Sequence, residues 1–342
     1  MIICAIESSC DDLSCALYNT KTSSVIAMKT VTQQQHDKFG GVVPDIASLQ
    51  HAILINDVLS QTLLAADYSI DDIDVFSATI TPGLPGALLV GSSFAKALAW
   101  SKKKPFIPIN HLQGHVYSAY IEKKNIPPFP HLCLSVSGGH TALYKVINFQ
   151  EYQLLGSTKD DAAGECFDKI GRIIGLGFPA GAMIEQYAQS NNFSDVYRYP
   201  RLSFCDYSFS FSGLKTAVLY DLVKRGLYDI KSKKSSDIDE QIKKNVSSSL
   251  LCAVSDVLAS RVMYAFEHNP DCTTITFVGG VSCNEFIVKN ITKIAAKYHK
   301  SVLVPSLKSY CVDNAAMIAY VASCTIAKYT CYPFYNYTND IK

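Results

Sequence analysis

A chain of 342 residues, 48% of them hydrophobic, has more apolar material than one domain core normally encloses, and its size predicts two domains. Lys and Arg total 31 against 30 Asp and Glu, so the formal charge of +1 excludes nucleic-acid binding by bulk basicity and confines any RNA contact to a local patch. The twelve cysteines are scattered without a C-x-x-C pair, which excludes a zinc ribbon or a disulfide framework and predicts reduced thiols in a cytoplasmic protein.

The opening MIICAIESSCDD lacks a basic segment and turns acidic at Glu7, so no signal or transit peptide is expected. The apolar runs are expected to stop short of a membrane span. Strands are predicted over 2–6, 13–19 and 24–32, followed by a helix from Pro44 to about Ala66 whose proline suits a first helical position. A strand over 74–81 then enters the turn TPGLPG. A helix from about Ala87 to Lys103, a strand over 105–110 and a helix from His111 to about Lys123 follow. Pro127, Pro128 and Pro130 cannot continue a helix and mark a boundary between lobes.

The second lobe opens with the hairpin LCLSVSGGHTALYKVI, and helices are predicted over 162–175, 181–190, 213–225 and 238–267. The polar run KSKKSSDID before the last of these reads as a solvated loop. A strand TTITFVGG, a helix over 284–299 and a strand SVLVP lead into a final helix, DNAAMIAYVASCTIAKY, which Asp313 is placed to cap. Because a hairpin opens each half, the expected fold is α/β with two duplicated lobes around a central cleft, rather than one doubly wound sheet. The expected division is 1–126, 127–312 and a tail 331–342, with helix 313–330 returning to the cleft.

Three glycine-and-hydroxyl turns directly follow apolar runs: IESSCDD, SVSGGHT and VGGVSCN. Turns of that composition let backbone N–H groups and hydroxyls converge on an anion, because glycine carries no Cβ to hold a phosphate away. One alone is ordinary turn chemistry, whereas three spread over both halves point to a nucleotide. At Gly139 the turn is expected to use positive φ.

His111 and His115, four residues apart in NHLQGH, lie on one helix face where two imidazoles can grip one ion. The same pair also fits two ordinary core or surface histidines. A zinc-protease reading fails because the residue after the first histidine is Leu112 rather than Glu. A carboxylate from elsewhere is the usual third ligand. Asp313 is a candidate if the chain returns, and a plain helix cap if it does not.

The motifs IESSCDD, QHDKFGGVVPDIAS, TPGLPGALLVG, NHLQGH, LSVSGGHT, DDAAGECFDKIGRIIGLGFPAG, FSFSGLKTAV, FVGGVSCN and CVDNAAMIA run nearly end to end. In that order they closely resemble the bacterial TsaD family, the tRNA N6-adenosine threonylcarbamoyltransferases of the actin, Hsp70 and sugar-kinase superfold. The resemblance implies transfer of threonylcarbamoyl from threonylcarbamoyl-AMP to N6 of the adenosine beside the anticodon in tRNAs reading ANN codons, with release of AMP. It implies one divalent metal, Fe2+ or Zn2+, held by His111, His115 and Asp313, with Mg2+ as a further candidate beside the nucleotide. Ser135, Val136, Ser137, Gly138 and Gly139 match the stretch lining the phosphates and acyl group. Asp168, Gly181, Glu185 and Asn284 match positions on the ribose and adenine side, and Asp11 and Asp12 fall in the acidic turn tied to catalysis.

Implied partners are tRNA, an inactive TsaB-like paralogue and a small TsaE-like ATPase, with no membrane. Local cations such as Lys102, Lys103 and Lys104, or Lys231, Lys233 and Lys234, are candidates for the tRNA contact. Alternatives in the same superfold are an ATP-dependent small-molecule kinase and a chaperone-like ATPase, neither of which needs the histidine pair. The chain departs from the family at Leu13 and Ser14, where Thr is usual, at Asp45 and Leu49, where Glu and Arg are usual, and at Ala180, in FPAG instead of FPGG.

Overall fold

A computed structural model describes residues 1–39, 41–149, 151–202, 206–232, 234–235 and 237–329. Residues 1–126 and the described residues from Pro305 onward form one compact unit, and residues 127–304 form a second. Residues 305–312, expected with the second lobe, therefore belong to the first unit.

In the first unit, β1 (Ile2–Glu7), β2 (Asp12–Asn19) and β3 (Ser24–Thr32) make an antiparallel meander. Helix α1 (Pro44–Ala66) crosses to β4 (Val75–Thr81), which pairs parallel with β1, and α2 (Pro85–Lys102) crosses to β5 (Phe106–Asn110), parallel with β4. Helix α3 (His111–Tyr117) follows at once. It ends in a 3-10 turn over Ser118–Tyr120, well before the expected Lys123.

The second unit begins with the meander β6 (His131–Val136), β7 (Thr141–Asn148) and β8 (Glu151–Ser157). Helices α4 (Ala163–Ile173), α5 (Gly181–Ser190) and α6 (Ser212–Lys224) follow, then the two-residue strands β9 (Tyr228–Asp229) and β10 (Lys234–Ser235). Helix α7 (Glu240–His268) leads to β11 (Thr274–Val278), α8 (Glu285–Lys297) and β12 (Ser301–Leu303), with β11 parallel to both β6 and β12. The last helix, α9 (Ala315–Tyr329), belongs to the first unit, where it packs on β1, β2 and α3.

The sheets repeat one topology. Their orders are β3-β2-β1-β4-β5 and β8-β7-β6-β11-β12, each a three-stranded meander extended by two parallel strands. The central strands are apolar on both faces because helices cover both. In the first unit α1 and α2 bury Ile6, Leu13, Leu17, Val58, Phe76 and Ala95 on one side of the sheet. On the other side α9 contributes Met317 and Ile318, each fully buried and worth about 1.5–3 kcal/mol over exposure.

One strand was not foreseen and two expectations change. β8 is an edge strand with mostly open side chains, so its sequence EYQLLGS carries no clear alternation. The run KSKKSSDID is not entirely loop: Lys234 and Ser235 pair with Asp229 and Tyr228, and the Ser235 hydroxyl donates to the Ile173 carbonyl. Helix α7 is long and apolar enough to cross a membrane by length and composition, but 78% of that stretch is buried inside the structure and its Val246, Leu250, Val254, Leu258 and Val262 form the core of the second unit.

The ten described cysteines are thiols rather than disulfides, and burial pushes those of Cys133 and Cys166 up to about 12, so these two act as small hydrophobes. Cys205 and Cys331 lie outside the described residues.

The glycines of the second unit divide by purpose. Gly279 sits at φ 87, and a Cβ there would meet the Val136 carbonyl oxygen at 2.4 Å, so the backbone itself demands glycine. Gly138 and Gly139 differ from the expectation: neither has positive φ, and a Cβ on either would meet nothing within 4 Å. Gly279→Ala is accordingly expected to destabilise the protein by about 2–4 kcal/mol in denaturant unfolding, and Gly139→Ala to leave the transition within about 0.5 kcal/mol of wild type.

Candidate metal centre

Helix α3 begins where it does because the Asn110 side chain accepts the N–H groups of Leu112 and Gln113 at 2.9 and 3.2 Å. That cap puts His111 at the first helical position, beside the end of β5, and His115 one turn later. Both imidazoles are buried, at 6% and 5% exposure. The third residue arrives from the other end of the chain. Asn314 accepts the Met317 N–H at 3.0 Å and the Ser14 hydroxyl accepts the Ala315 N–H at 3.0 Å, and these two bonds hold the first turn of α9. Asn314 thus supports the turn beside Asp313, the expected cap, whose carboxylate reaches the histidines.

His115 Nε2 lies 2.9 Å from Asp313 Oδ1 and 3.1 Å from His111 Nε2, and His111 Nε2 lies 3.6 Å from the same oxygen. An ion about 2.1 Å from each ligand would separate them by roughly 3.0–3.4 Å in octahedral or tetrahedral coordination, so the observed triangle fits one metal ion. The two nitrogens and the carboxylate suit such an ion chemically.

A fourth residue fixes this geometry, and sequence reasoning missed it. Glu7, fully buried at the end of β1, accepts His111 Nδ1–H at 3.1 Å, the Ser9 N–H at 2.6 Å and the Thr79 hydroxyl. With the Nδ1 proton given to Glu7, the lone pair of His111 points from Nε2 toward Asp313 and His115. Burial works to raise the Glu7 pKa, but the charge and hydrogen bond of His111 outweigh it and hold the carboxyl below its usual value. Burial likewise works to lower His111, but Glu7 and Asp313 push it to about 9. The site demands positive charge. The signal for Glu7 was a lone acid closing an otherwise apolar strand, IICAIE.

Asp12 begins β2, accepts the Thr32 hydroxyl at 2.5 Å, and is pushed up to about 7 by burial and by the charges of Asp313, Asp11 and Glu7. The Asp11 carbonyl accepts the Gln33 N–H at 3.3 Å. Burial, with Asp11 and Asp313, raises the Cys10 thiol far above its ordinary value, so Cys10 is no nucleophile.

The remaining predicted site residues lie in the second unit. Ser135 and Val136 are buried in β6, while Ser137, Gly138 and Gly139 turn outward with the Ser137 N–H donating to the His140 carbonyl at 2.7 Å. The start of α4 packs under this turn: the Gly164 N–H donates to the Ser137 carbonyl at 3.2 Å and the Ala163 N–H to the Thr141 hydroxyl at 3.0 Å. Asp168 Oδ1 accepts the Ala180 N–H at 2.7 Å beside Gly181, and burial raises its pKa. Glu185 Oε1 accepts the Glu285 N–H at 2.8 Å, and Asn284 caps α8 through the Ile287 N–H at 3.0 Å. Asp168, Glu185 and Asn284 thus each accept a backbone N–H, and each oxygen has more than one lone pair.

The family model of TsaD, described as tRNA N6-adenosine threonylcarbamoyltransferase, matches residues 24–320. The chain belongs to the TsaD family. It is 42% identical over 322 residues to the tRNA N6-adenosine threonylcarbamoyltransferase of Thermosipho melanesiensis, covering 93% of both chains. It is 41% identical over 326 residues to the same-named protein of Desulforapulum autotrophicum, covering 93% of this chain and 92% of that one. Among solved structures, component A of the (R)-2-hydroxyglutaryl-CoA dehydratase of Acidaminococcus fermentans matches with a TM-score of 0.54 at 13% identity, over 96% of this chain and 99% of that one. Full-length HypF matches at 0.58 and 11%, over 95% of this chain and 56% of that one. These two likenesses concern the fold alone, which is the actin-like, sugar-kinase type. The kinase and chaperone-like alternatives gain nothing from the relatives, which carry the transferase name.

Asp313→Asn in this TsaD-family chain is expected to lose bound metal, measured by elemental analysis, with an unchanged melting temperature. Asn314→Ala is expected to keep the metal and lose about 1 kcal/mol of stability. Glu7→Gln is expected to weaken metal affinity about ten- to a hundredfold in a competitive chelator titration.

Proposed function

We propose that this chain transfers the threonylcarbamoyl group from threonylcarbamoyl-AMP to N6 of the adenosine beside the anticodon in tRNAs reading ANN codons. The observation that carries this reading is the convergence of His111, His115 and Asp313 in a member of the TsaD family. The N6 amine attacks the carbamoyl carbon, a C–N bond forms, the mixed-anhydride C–O bond breaks, and AMP departs with the electron pair. The proton of the amine passes to the carboxylate of Asp12.

Asp12 suits that task because a general base works best near the operating pH, and its carboxyl is pushed up to about 7. Iron or zinc at His111, His115 and Asp313, when bound, supplies Lewis acidity for the negative charge that develops on the leaving group. Glu7 keeps the His111 lone pair available for it. Ser135, Val136, Ser137, Gly138 and Gly139 receive the phosphate and acyl group; open space over both glycines supports this, since a backbone without Cβ atoms admits an anion closely. Asp168, Gly181, Glu185 and Asn284 take the ribose and adenine, and Asp11 is the residue that would hold Mg2+.

Lys103 and Lys104 are the candidate tRNA contacts on α2 and its exit, whereas Lys102 is already paired with Asp71 at 2.7 Å. Lys231 is exposed, and Lys233 lies outside the described residues. A chain of charge +1 has little purchase on RNA alone, which supports work within a complex that includes a TsaB-like paralogue and a TsaE-like ATPase. A separate synthase supplies threonylcarbamoyl-AMP. Ten free cysteines support a cytoplasmic setting.

The test is mass analysis of tRNA nucleosides after incubation with threonine, bicarbonate, ATP, the synthase and the partner subunits; unmodified adenosine in the complete mixture would overturn the reading. In single turnover from threonylcarbamoyl-AMP, the rate is expected to climb with pH and then level off, because Asp12, whose carboxyl burial raises above the usual carboxylate range, accepts a proton only once ionised. Asp12→Asn is expected to flatten that limb and lower the plateau.

A further inference from the structure

Among the described residues of the stretch 33–51 none supplies a ligand to the metal centre, yet the stretch carries a buried polar chain whose every proton is placed by backbone groups. Gln33, His36 and His51 are 4%, 1% and 0% exposed. The Gln33 Nε2 group donates to the Ala47 carbonyl at 3.2 Å, and a carbonyl can only accept, so the amide is fixed with its nitrogen on that side. The same nitrogen then donates to His51 Nδ1 at 3.0 Å, and His51 Nε2–H donates to the Cys10 carbonyl at 2.9 Å. On its other side, Gln33 Oε1 accepts His36 Nε2–H at 2.8 Å, and His36 Nδ1 accepts the Val43 N–H at 3.2 Å. The direction is unambiguous. It runs from Val43 through His36, Gln33 and His51 to Cys10, and both imidazoles must be neutral with the proton on Nε2.

An imidazolium at either position would set one N–H against another, at Val43 or at the Gln33 amide. Burial also lowers His51 below the usual imidazole range, in keeping with the neutral ring that the geometry requires. The chain ends at the acidic turn, where the Gln33 backbone N–H independently holds the Asp11 carbonyl at 3.3 Å. Gln33 thus acts on two successive carbonyls immediately before Asp12, on that of Cys10 through His51 and on that of Asp11 through its own N–H.

We propose that Gln33 is a positioning residue for the acidic turn, acting through His51 and its own N–H to set where the Asp12 carboxylate points. The proposal rests on the reading of Asp12 as the base for transfer. Cutting the chain at Gln33 strands a buried Nδ1 on His51 and a buried Nε2–H on His36, and the cost of those unpaired groups is relieved by movement of the turn. Displacement of a reacting group by an ångström is enough to slow a reaction about a hundredfold, so the turn need not unfold for the effect to be large.

The first measurement uses the full chain, loaded with zinc and labelled with 15N at histidine. Long-range 1H–15N spectra near neutral pH are expected to show His36 and His51 as neutral rings protonated at Nε2; an Nδ1–H ring or an imidazolium at either position overturns the proposal. The second is single-turnover transfer from threonylcarbamoyl-AMP in the reconstituted complex. Gln33→Leu is expected to lower the rate at saturation by at least about tenfold, with half-saturation and zinc content within about twofold of wild type. If Gln33→Leu does not fold, His51→Gln against His51→Leu decides, because only glutamine can still donate to the Cys10 carbonyl and is expected to retain most of the rate. Wild-type rates in a folded Gln33→Leu, or equal rates in the two His51 variants, defeat the positioning role while Asp12→Asn still loses activity. Wild-type rates in Asp12→Asn remove the base assignment, and the proposal with it.

Discussion

Asp313 meets two histidines some two hundred residues earlier because the last helix packs back onto the first sheet. That packing is made by small apolar side chains: Ala315, Ala316, Met317, Ile318 and Ala319 are all fully buried, and alanine lets a helix approach a sheet closely. A polar contact helps to fix its register, the Ala315 N–H donating to the Ser14 hydroxyl on β2, across 301 residues of chain. Without that return the first unit would hold two histidines and a buried glutamate, and no third ligand. The order of the sequence separates the centre, and the topology assembles it.

The same closure concentrates negative charge. Burial, and then the charges of Asp313, Asp11 and Glu7, push the Asp12 carboxyl up to about 7. His111 is the counterweight, raised to about 9 against the pull of burial. A protein would not build such a field for stability, since uncompensated buried acids destabilise it. A cation relieves the field, and an acid left half-ionised near neutrality is useful to a proton transfer.

Much of this was legible in the sequence, and what was not has definite physical causes. Helix α1 was readable because a proline opens it and its apolar period is long, and the duplicated hairpins foretold two sheets of one topology. The histidine pair was readable from its spacing, but the meeting with Asp313 was not, since spacing says nothing of where a chain returns. Asp313 and Asn314 are both good cap residues, and the sequence does not say that the Met317 N–H goes to Asn314 while a carboxylate oxygen of Asp313 reaches His115. Glu7 stayed hidden because it ends a strand where a solvent-facing acid is ordinary. Gly139 and Gly279 look alike in sequence, yet one stands over open space and the other against the Val136 carbonyl.

The family departures show how local substitution is absorbed. Ala180 is fully buried, and a Cβ on Gly171 would lie 2.1 Å from its methyl group, so the methyl occupies space that Gly171 leaves empty. Its backbone N–H still reaches Asp168, and the FPAG turn keeps its hold on the second unit. At the other site, Leu13 enters the core of the first unit, while the Ser14 hydroxyl pairs with Thr30 and receives the first N–H of α9. The hydroxyl at position 14 is therefore what ties the returning helix to β2. Asp45 and Leu49 differ in kind: both are exposed on α1, where no packing constrains them, so a change there alters a surface and leaves the centre as it was.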